Sequence, residues 1–127
     1  MSIFYNLIRR KNPRDLSAPE KVYASVITSG KAELADLAAE IAENTTINAA
    51  EVEAALKLLE PVVIRRLSAG QSAGLGGLCT FYPRISSEGA ESEEAFNANT
   101  HIRKVGVSVR PGKALQEQVS KAGLQRR

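Results

Sequence analysis

The fold of this chain is decided by two short blocks, Leu75-Gly76-Gly77-Leu78-Cys79-Thr80-Phe81 and Arg110-Pro111-Gly112-Lys113-Ala114-Leu115, which lie about thirty residues apart. The glycines of the first block interrupt a strand pattern, and such glycines mark a bulge or a close approach of two backbones. In the second block a proline and a glycine end a strand, and a helix follows. The segment between the blocks is long enough for two strands and an extended arm.

Two helices are predicted ahead of the first block. Within residues 31–43 the apolar side chains recur at i, i+3, i+4 and i+7, which makes one apolar stripe. The second helix begins after Asn48, whose side chain is placed to cap the Glu51 amide, while Glu51 reaches back to the amide of Asn48. Pro61 lies inside this helix and should kink or divide it. Ser68-Ala69-Gly70 is expected to end it.

Other elements follow from local patterns, with strands at residues 3–8, 22–27, 72–85 and 102–109, and a last helix at 114–122. A turn at Asn12-Pro13-Arg14-Asp15 separates the first two strands. Residues 124–127 are expected to be a frayed basic tail. This mixture of helices and antiparallel strands predicts an α+β fold.

Composition excludes several classes of protein. Hydrophobic residues make up 43% of the chain, which is ordinary for a globular protein. No apolar run approaches the roughly 18 residues that cross a bilayer, and in residues 1–11 the charges follow the apolar stretch, unlike in a signal peptide. The single Cys79 cannot form an internal disulfide, which fits a cytoplasmic setting.

Charge is distributed unevenly along the chain. The net charge is +3, but residues 1–30 carry +3 and residues 110–127 carry +4. The intervening residues 31–71 and 72–109 carry −3 and −1. A polyanion such as DNA is therefore expected to meet the two ends of the chain.

From Lys31 onward the element order is helix, helix, strand, arm, strand, helix, and this order resembles the HU and integration-host-factor family of bacterial histone-like DNA-binding proteins. Residues 31–42 are similar to the opening helix of that family. The first block is similar to its glycine-containing turn, and the second to the segment that leads into its last helix. Residues 1–30 resemble the two-strand N-terminal extension of a longer HU-like subgroup.

The resemblance implies an HU-like fold with two N-terminal helices, an antiparallel sheet with an arm, and a C-terminal helix. It implies an extension at residues 1–30, a DNA-binding domain at 31–123 and a tail at 124–127. It also implies an intertwined homodimer in the nucleoid of the bacterial cytoplasm. The implied partner is duplex DNA, held through its backbone with little reading of bases. No membrane and no small-molecule substrate are implied.

The residues expected to contact DNA are all basic: Arg84, Arg103, Lys104, Arg110, Lys113, Arg9, Arg10 and Lys11. The first three flank the arm, the next two belong to the block that matches the DNA-facing body of the family, and the last three form the densest basic run. The alternative for each residue is an ordinary solvated charge.

The arm, residues 85–100, departs from the family pattern because it has four Glu and no Lys, Arg or Pro. Carboxylates repel phosphates, so DNA bending should be weaker than in relatives with basic arms. No wedge residue is assigned. Phe96 is the nearest apolar candidate, but we favour an interpretation in which Ser92 caps a turn and Phe96 folds back onto the protein.

No constellation of residues supports catalysis. Cys79 has no partner histidine, and His101, the only histidine, has no second ligand at metal-binding spacing. We therefore expect a protein that is not an enzyme and that has no metal or other cofactor. Two functions stay open at this point: a DNA-binding protein, or an HU-like dimeric scaffold that has lost DNA bending and meets a basic protein partner through its acidic arm.

Overall fold

The structure is a computed structural model that describes residues 1–127. In chain order its elements are β1 (Ser2–Arg10), β2 (Lys21–Ile27), α1 (Leu34–Glu43), α2 (Ala49–Ser68), β3 (Ala73–Gly74), β4 (Cys79–Ser87), α3 (Ala98–His101), β5 (Ile102–Pro111), α4 (Lys113–Ser120) and β6 (Gly123–Arg126). They form two compact units, residues 1–33 with 118–127, and residues 34–117. No helix combines the length and the apolar character needed to cross a membrane.

The first unit is a three-stranded sheet in the order β2, β1, β6. The two predicted strands are present; β1 and β2 pair antiparallel, and β6 pairs parallel to β1 from Ser2 and Gly123 onward. The prediction of a frayed tail at residues 124–127 is therefore wrong. The reason is that β1 offers an open edge, and the C-terminal backbone fills it, with the Arg127 amide donating to the Tyr5 carbonyl at 2.9 Å.

The second unit begins with the two predicted helices. The Asn48 side chain accepts a hydrogen bond from the Glu51 amide at 2.9 Å, which confirms the cap of α2. The Glu51 carboxylate meets the side-chain amide of Asn48 at 3.2 Å instead of its backbone amide. Helix α2 runs undivided through Pro61 and ends just before Gly70, whose φ of 85° suits only glycine.

The two sequence blocks contact each other directly. The Gly112 amide donates to the Leu78 carbonyl at 2.8 Å, and the Leu115 amide donates to the Gly77 carbonyl at 3.1 Å. A Cβ atom on Gly112 would lie 2.1 Å from the Gly77 oxygen, so no side chain fits there. The predicted close approach of backbones is confirmed, and it joins the turn before β4 to the start of α4.

The second unit has a three-stranded sheet in the order β3, β4, β5, in which the short β3 pairs with the start of β4. Strands β4 and β5 form its long antiparallel ribbon, which runs from the Cys79–Pro111 pair out to the arm. Side chains alternate between its two faces. One face carries a set of apolar side chains, which we call the apolar face: Phe81, Pro83, Ile85, Val105, Val107 and Val109. Phe81 and Val107 line a cleft of about 380 Å³ together with apolar residues of α2.

Hydrophobic burial within the chain is sparse. Only Ala38 of α1 and Val52 of α2 are buried hydrophobic residues. On the apolar face, Ile85 is 63% exposed and Val105 is 74% exposed. The chain by itself thus leaves a large part of its apolar surface in water, which is unusual for a stable domain.

The tip of the arm folds on itself. The Ser92 hydroxyl accepts a hydrogen bond from the Ala95 amide at 3.1 Å, so Ser92 caps a turn as predicted. Phe96 stacks on His101 with the ring centroids 5.1 Å apart, and the His101 Nδ1 atom lies 2.9 Å from the Asn97 amide nitrogen. Phe96 therefore packs against the arm and does not project as a free wedge.

We expect the substitution Gly112→Ala to lower the free energy of unfolding by about 1–3 kcal/mol or more, because its Cβ would overlap the Gly77 carbonyl. Urea denaturation measures this. The matched control is Gly89→Ala, where an added Cβ meets nothing within 4 Å, and its effect should stay within about 0.5 kcal/mol. Equal stability of the two variants would contradict the close approach.

Candidate nucleic-acid interface

Three of the predicted DNA contacts lie on one face of the ribbon. Arg84 is paired with Gly106, Lys104 with Ser86, and Arg110 with Thr80, and all of these positions point to the side opposite the apolar face. We call this surface, with its exposed Arg84, Lys104 and Arg110, the cationic face. The strict alternation of β4 and β5 brings these three side chains together from distant parts of the sequence.

The remaining side chains of the cationic face are small or hydroxyl-bearing: Thr80, Tyr82, Ser86, Gly106 and Ser108. None is acidic. The Arg110 guanidinium lies 5.1 Å from the centroid of the Tyr82 ring, and this cation–π contact holds the charge without neutralising it. Sequence reasoning missed Tyr82, although its spacing of two from Thr80 and Arg84 places it on this face.

The length of the cationic face suits a nucleic-acid backbone. Arg110 and Lys104 are three two-residue steps apart along the ribbon, which corresponds to about 20 Å. That is the axial length of about six base pairs of duplex DNA, which carries a phosphate every 3.4 Å on each strand.

Arg103 is separated from the cationic face. A bulge at Ser86 and Ser87 leaves Arg103 without a partner on β4. Its guanidinium donates instead to Glu88, through Nε at 2.8 Å and through Nη2. The pair places a carboxylate beside this predicted contact at the base of the arm.

Lys113 lies in the first turn of α4, where its ammonium is 3.9 Å from Glu117. Both side chains are more than half exposed, so this ion pair is weak. The residue is on a helix and not on the cationic face.

The other predicted basic residues belong to the first unit. Arg9 is paired with Val22 across the hairpin of β1 and β2. Arg10 is paired with Lys21, a residue that sequence analysis did not select. Only the hairpin register reveals Lys21, since ten residues separate it from Arg10. Lys11 follows directly after β1.

The arm tip presents the opposite charge. Glu91, Glu93 and Glu94 are exposed and form no ion pair. The carboxylates gather at the tip, whereas the cations lie along the body of the ribbon. This separation means that the acidic residues do not cover Arg84, Lys104 or Arg110.

Comparison with known proteins agrees with this architecture. Residues 1–126 match the HU-HIG family, described as an HU domain fused to a winged helix-turn-helix, an immunoglobulin-like or a glycine-rich motif. The chain belongs to this family. The predicted kinship with HU-like proteins is thereby confirmed, while assignment of residues 1–30 to a longer subgroup stays a prediction.

The fold is similar to that of a crystal structure from Bacteroides vulgatus ATCC 8482, described as a candidate bacterial DNA-binding protein. The TM-score is 0.66 at 20% sequence identity, so the likeness concerns the fold alone. The match covers 98% of this chain and 47% of that protein, so the chain spans about half of its length. No curated protein matches the chain.

Proposed function

We propose that this protein is an HU-like DNA-binding module that holds duplex DNA by its phosphates, with little preference for sequence. The observation that carries the proposal is the cationic face, where Arg84, Lys104 and Arg110 converge without a carboxylate. Membership of the HU-HIG family supports it. Lysine and arginine side chains on a two-stranded ribbon neutralise phosphates and release counterions, which supplies affinity without reading base edges.

DNA bending is proposed to be weak. Bending by insertion requires an apolar side chain that enters a base step and unstacks it. The only Phe of the tip, Phe96, is stacked on His101, and three glutamates lie within the five residues before it. A tip of this charge is repelled by phosphates, so the ribbon contacts DNA through its body.

The active form is proposed to be a homodimer. The apolar face and α2 expose a continuous set of hydrophobic side chains. Because the single chain buries only two hydrophobic residues, covering these exposed side chains with a second copy would add most of the hydrophobic stabilisation. Since the apolar and cationic faces are opposite, dimerisation through the first leaves the second free for DNA.

We expect the triple variant Arg84→Gln, Lys104→Gln, Arg110→Gln to reduce the magnitude of the slope of log affinity against log salt. The reduction is about 2–3 for each protomer that contacts the duplex, since each lost phosphate contact removes about 0.9. Fluorescence anisotropy at several salt concentrations measures the slope. The matched control replaces Lys31, Lys57 and Lys121 with Gln, which removes the same charge away from the cationic face and should change the slope far less.

An unchanged slope in the first variant would contradict DNA binding by the cationic face. If the unmodified chain bound no duplex at low salt, that result would favour the alternative function as a protein scaffold. In that function the acidic tip of the arm could bind a basic partner without the cationic face.

We expect Glu88→Gln to raise duplex affinity about two- to tenfold at low salt, because it frees Arg103 and removes a carboxylate from the base of the arm. The gain should vanish in the double variant with Arg103→Gln. Glu53→Gln, which breaks a comparable 3.3 Å pair with Lys57, is the control and should leave the affinity unchanged. No gain in the Glu88 variant would show that Arg103 has no access to DNA.

We expect the chain to sediment at twice its mass of 13.7 kDa at tens of micromolar. Val105→Lys, which puts a charge on the most exposed part of the apolar face, should shift sedimentation toward the monomer mass. Ser86→Lys, on the opposite face of the same ribbon, should stay dimeric. A monomeric unmodified chain would overturn the dimer.

A further inference from the structure

A cleft of about 540 Å³ lies in the first unit, where the paired ends of β1 and β2 meet the loop that joins them. Its charged lining consists of Arg10, Lys11 and Lys21, and the ring of Tyr23 lies beside them. Pro13 and Pro19 of the loop also line the cleft and limit its flexibility. The volume falls in the range of small-ligand sites.

Two cations of this cleft face each other across the hairpin and repel each other. Arg10 and Lys21 are direct cross-strand partners, and like charges in that position destabilise a hairpin. Neither residue, nor Lys11, has an ion-pair partner. An anion bound between them would turn this repulsion into attraction.

The nearby carboxylates do not fill this role. Asp15 accepts hydrogen bonds from the Ser17 hydroxyl at 2.6 Å and from the Ser17 amide at 3.0 Å. These bonds lower the pKa of Asp15 and hold its carboxylate against Ser17 within the loop. Glu20, the other acidic residue of the loop, forms no ion pair.

The neutral groups of the cleft add hydrogen-bond donors. The Asn12 side-chain oxygen is occupied by the Arg14 amide at 2.9 Å, which leaves its NH₂ group to donate. Tyr23 lies on the same sheet face as Lys21 and carries a hydroxyl. A guanidinium, two ammonium groups, an amide and a phenol match the several oxygens of a phosphate group.

We propose that this cleft is a second phosphate-binding site, separate from the cationic face, and that it takes one backbone phosphate of the duplex. Arg10 and Lys21 neutralise the phosphate from the two strands, and Lys11 adds a third charge. The assignment of this phosphate to DNA rests on the proposed function. A free phosphate ester would present the same chemical group to the cleft.

The test uses the full chain with the double substitution Arg10→Gln, Lys21→Gln. We expect the salt slope for duplex binding to fall by about 0.9 and the affinity at 0.1 M salt to fall about five- to tenfold. The melting temperature without ligand should rise by about 1–3 °C, because the cross-strand repulsion is removed. The control, Lys31→Gln with Lys121→Gln, removes the same charge elsewhere in this unit and should keep the slope.

A parallel titration with inorganic phosphate at constant ionic strength should raise the melting temperature of the unmodified chain and not that of the double variant. A variant with an unchanged slope would overturn the assignment to DNA, even if the phosphate effect were present. If the unmodified chain bound no duplex, the proposed function would fail. The phosphate titration would then test by itself whether the cleft binds phosphate. Equal shifts in the melting temperature of the unmodified chain and the double variant would overturn the phosphate site.

Discussion

The hydrogen-bond register between β4 and β5 is the constraint on which both surfaces of the second unit depend. Because side chains alternate along a strand, one register places Arg84 and Lys104 on the same face and Phe81 and Val107 on the other. A slip of one residue would turn the side chains of one strand to the opposite face and mix apolar with charged residues on both faces. The contact between Gly77 and Gly112 holds the base of the ribbon, since neither backbone tolerates a side chain there.

The two faces of the ribbon suit two different interactions, one apolar and one electrostatic. Burial of apolar side chains is the main favourable term in association, and in the proposed dimer the exposed valines of β5 would supply it. Phosphate neutralisation is the main term in non-specific DNA binding, and in the proposed function the basic side chains of the opposite face supply it. The acidic tip lies beyond the paired part of the ribbon, so its carboxylates are separated along the strands from the cations of the cationic face.

Much of this architecture could be predicted from local sequence. Apolar spacing predicted the helices, Asn48 predicted a cap, and the glycines predicted a close approach. Two features could not be predicted because they depend on distant partners. Strand β6 forms only because β1 has a free edge at the other end of the chain. Arg103 is paired with Glu88 because a bulge leaves it without a partner on β4, and no local pattern predicts a bulge of this kind.

Amine footprinting of the unmodified protein, with and without saturating duplex at low salt, shows whether the ribbon binds DNA through its cationic face. Lys104, exposed on that face, is expected to lose reactivity toward an acylating reagent when DNA is bound. Lys57, exposed on α2, is expected to keep it. Full labelling of Lys104 in the presence of saturating duplex would contradict the assignment.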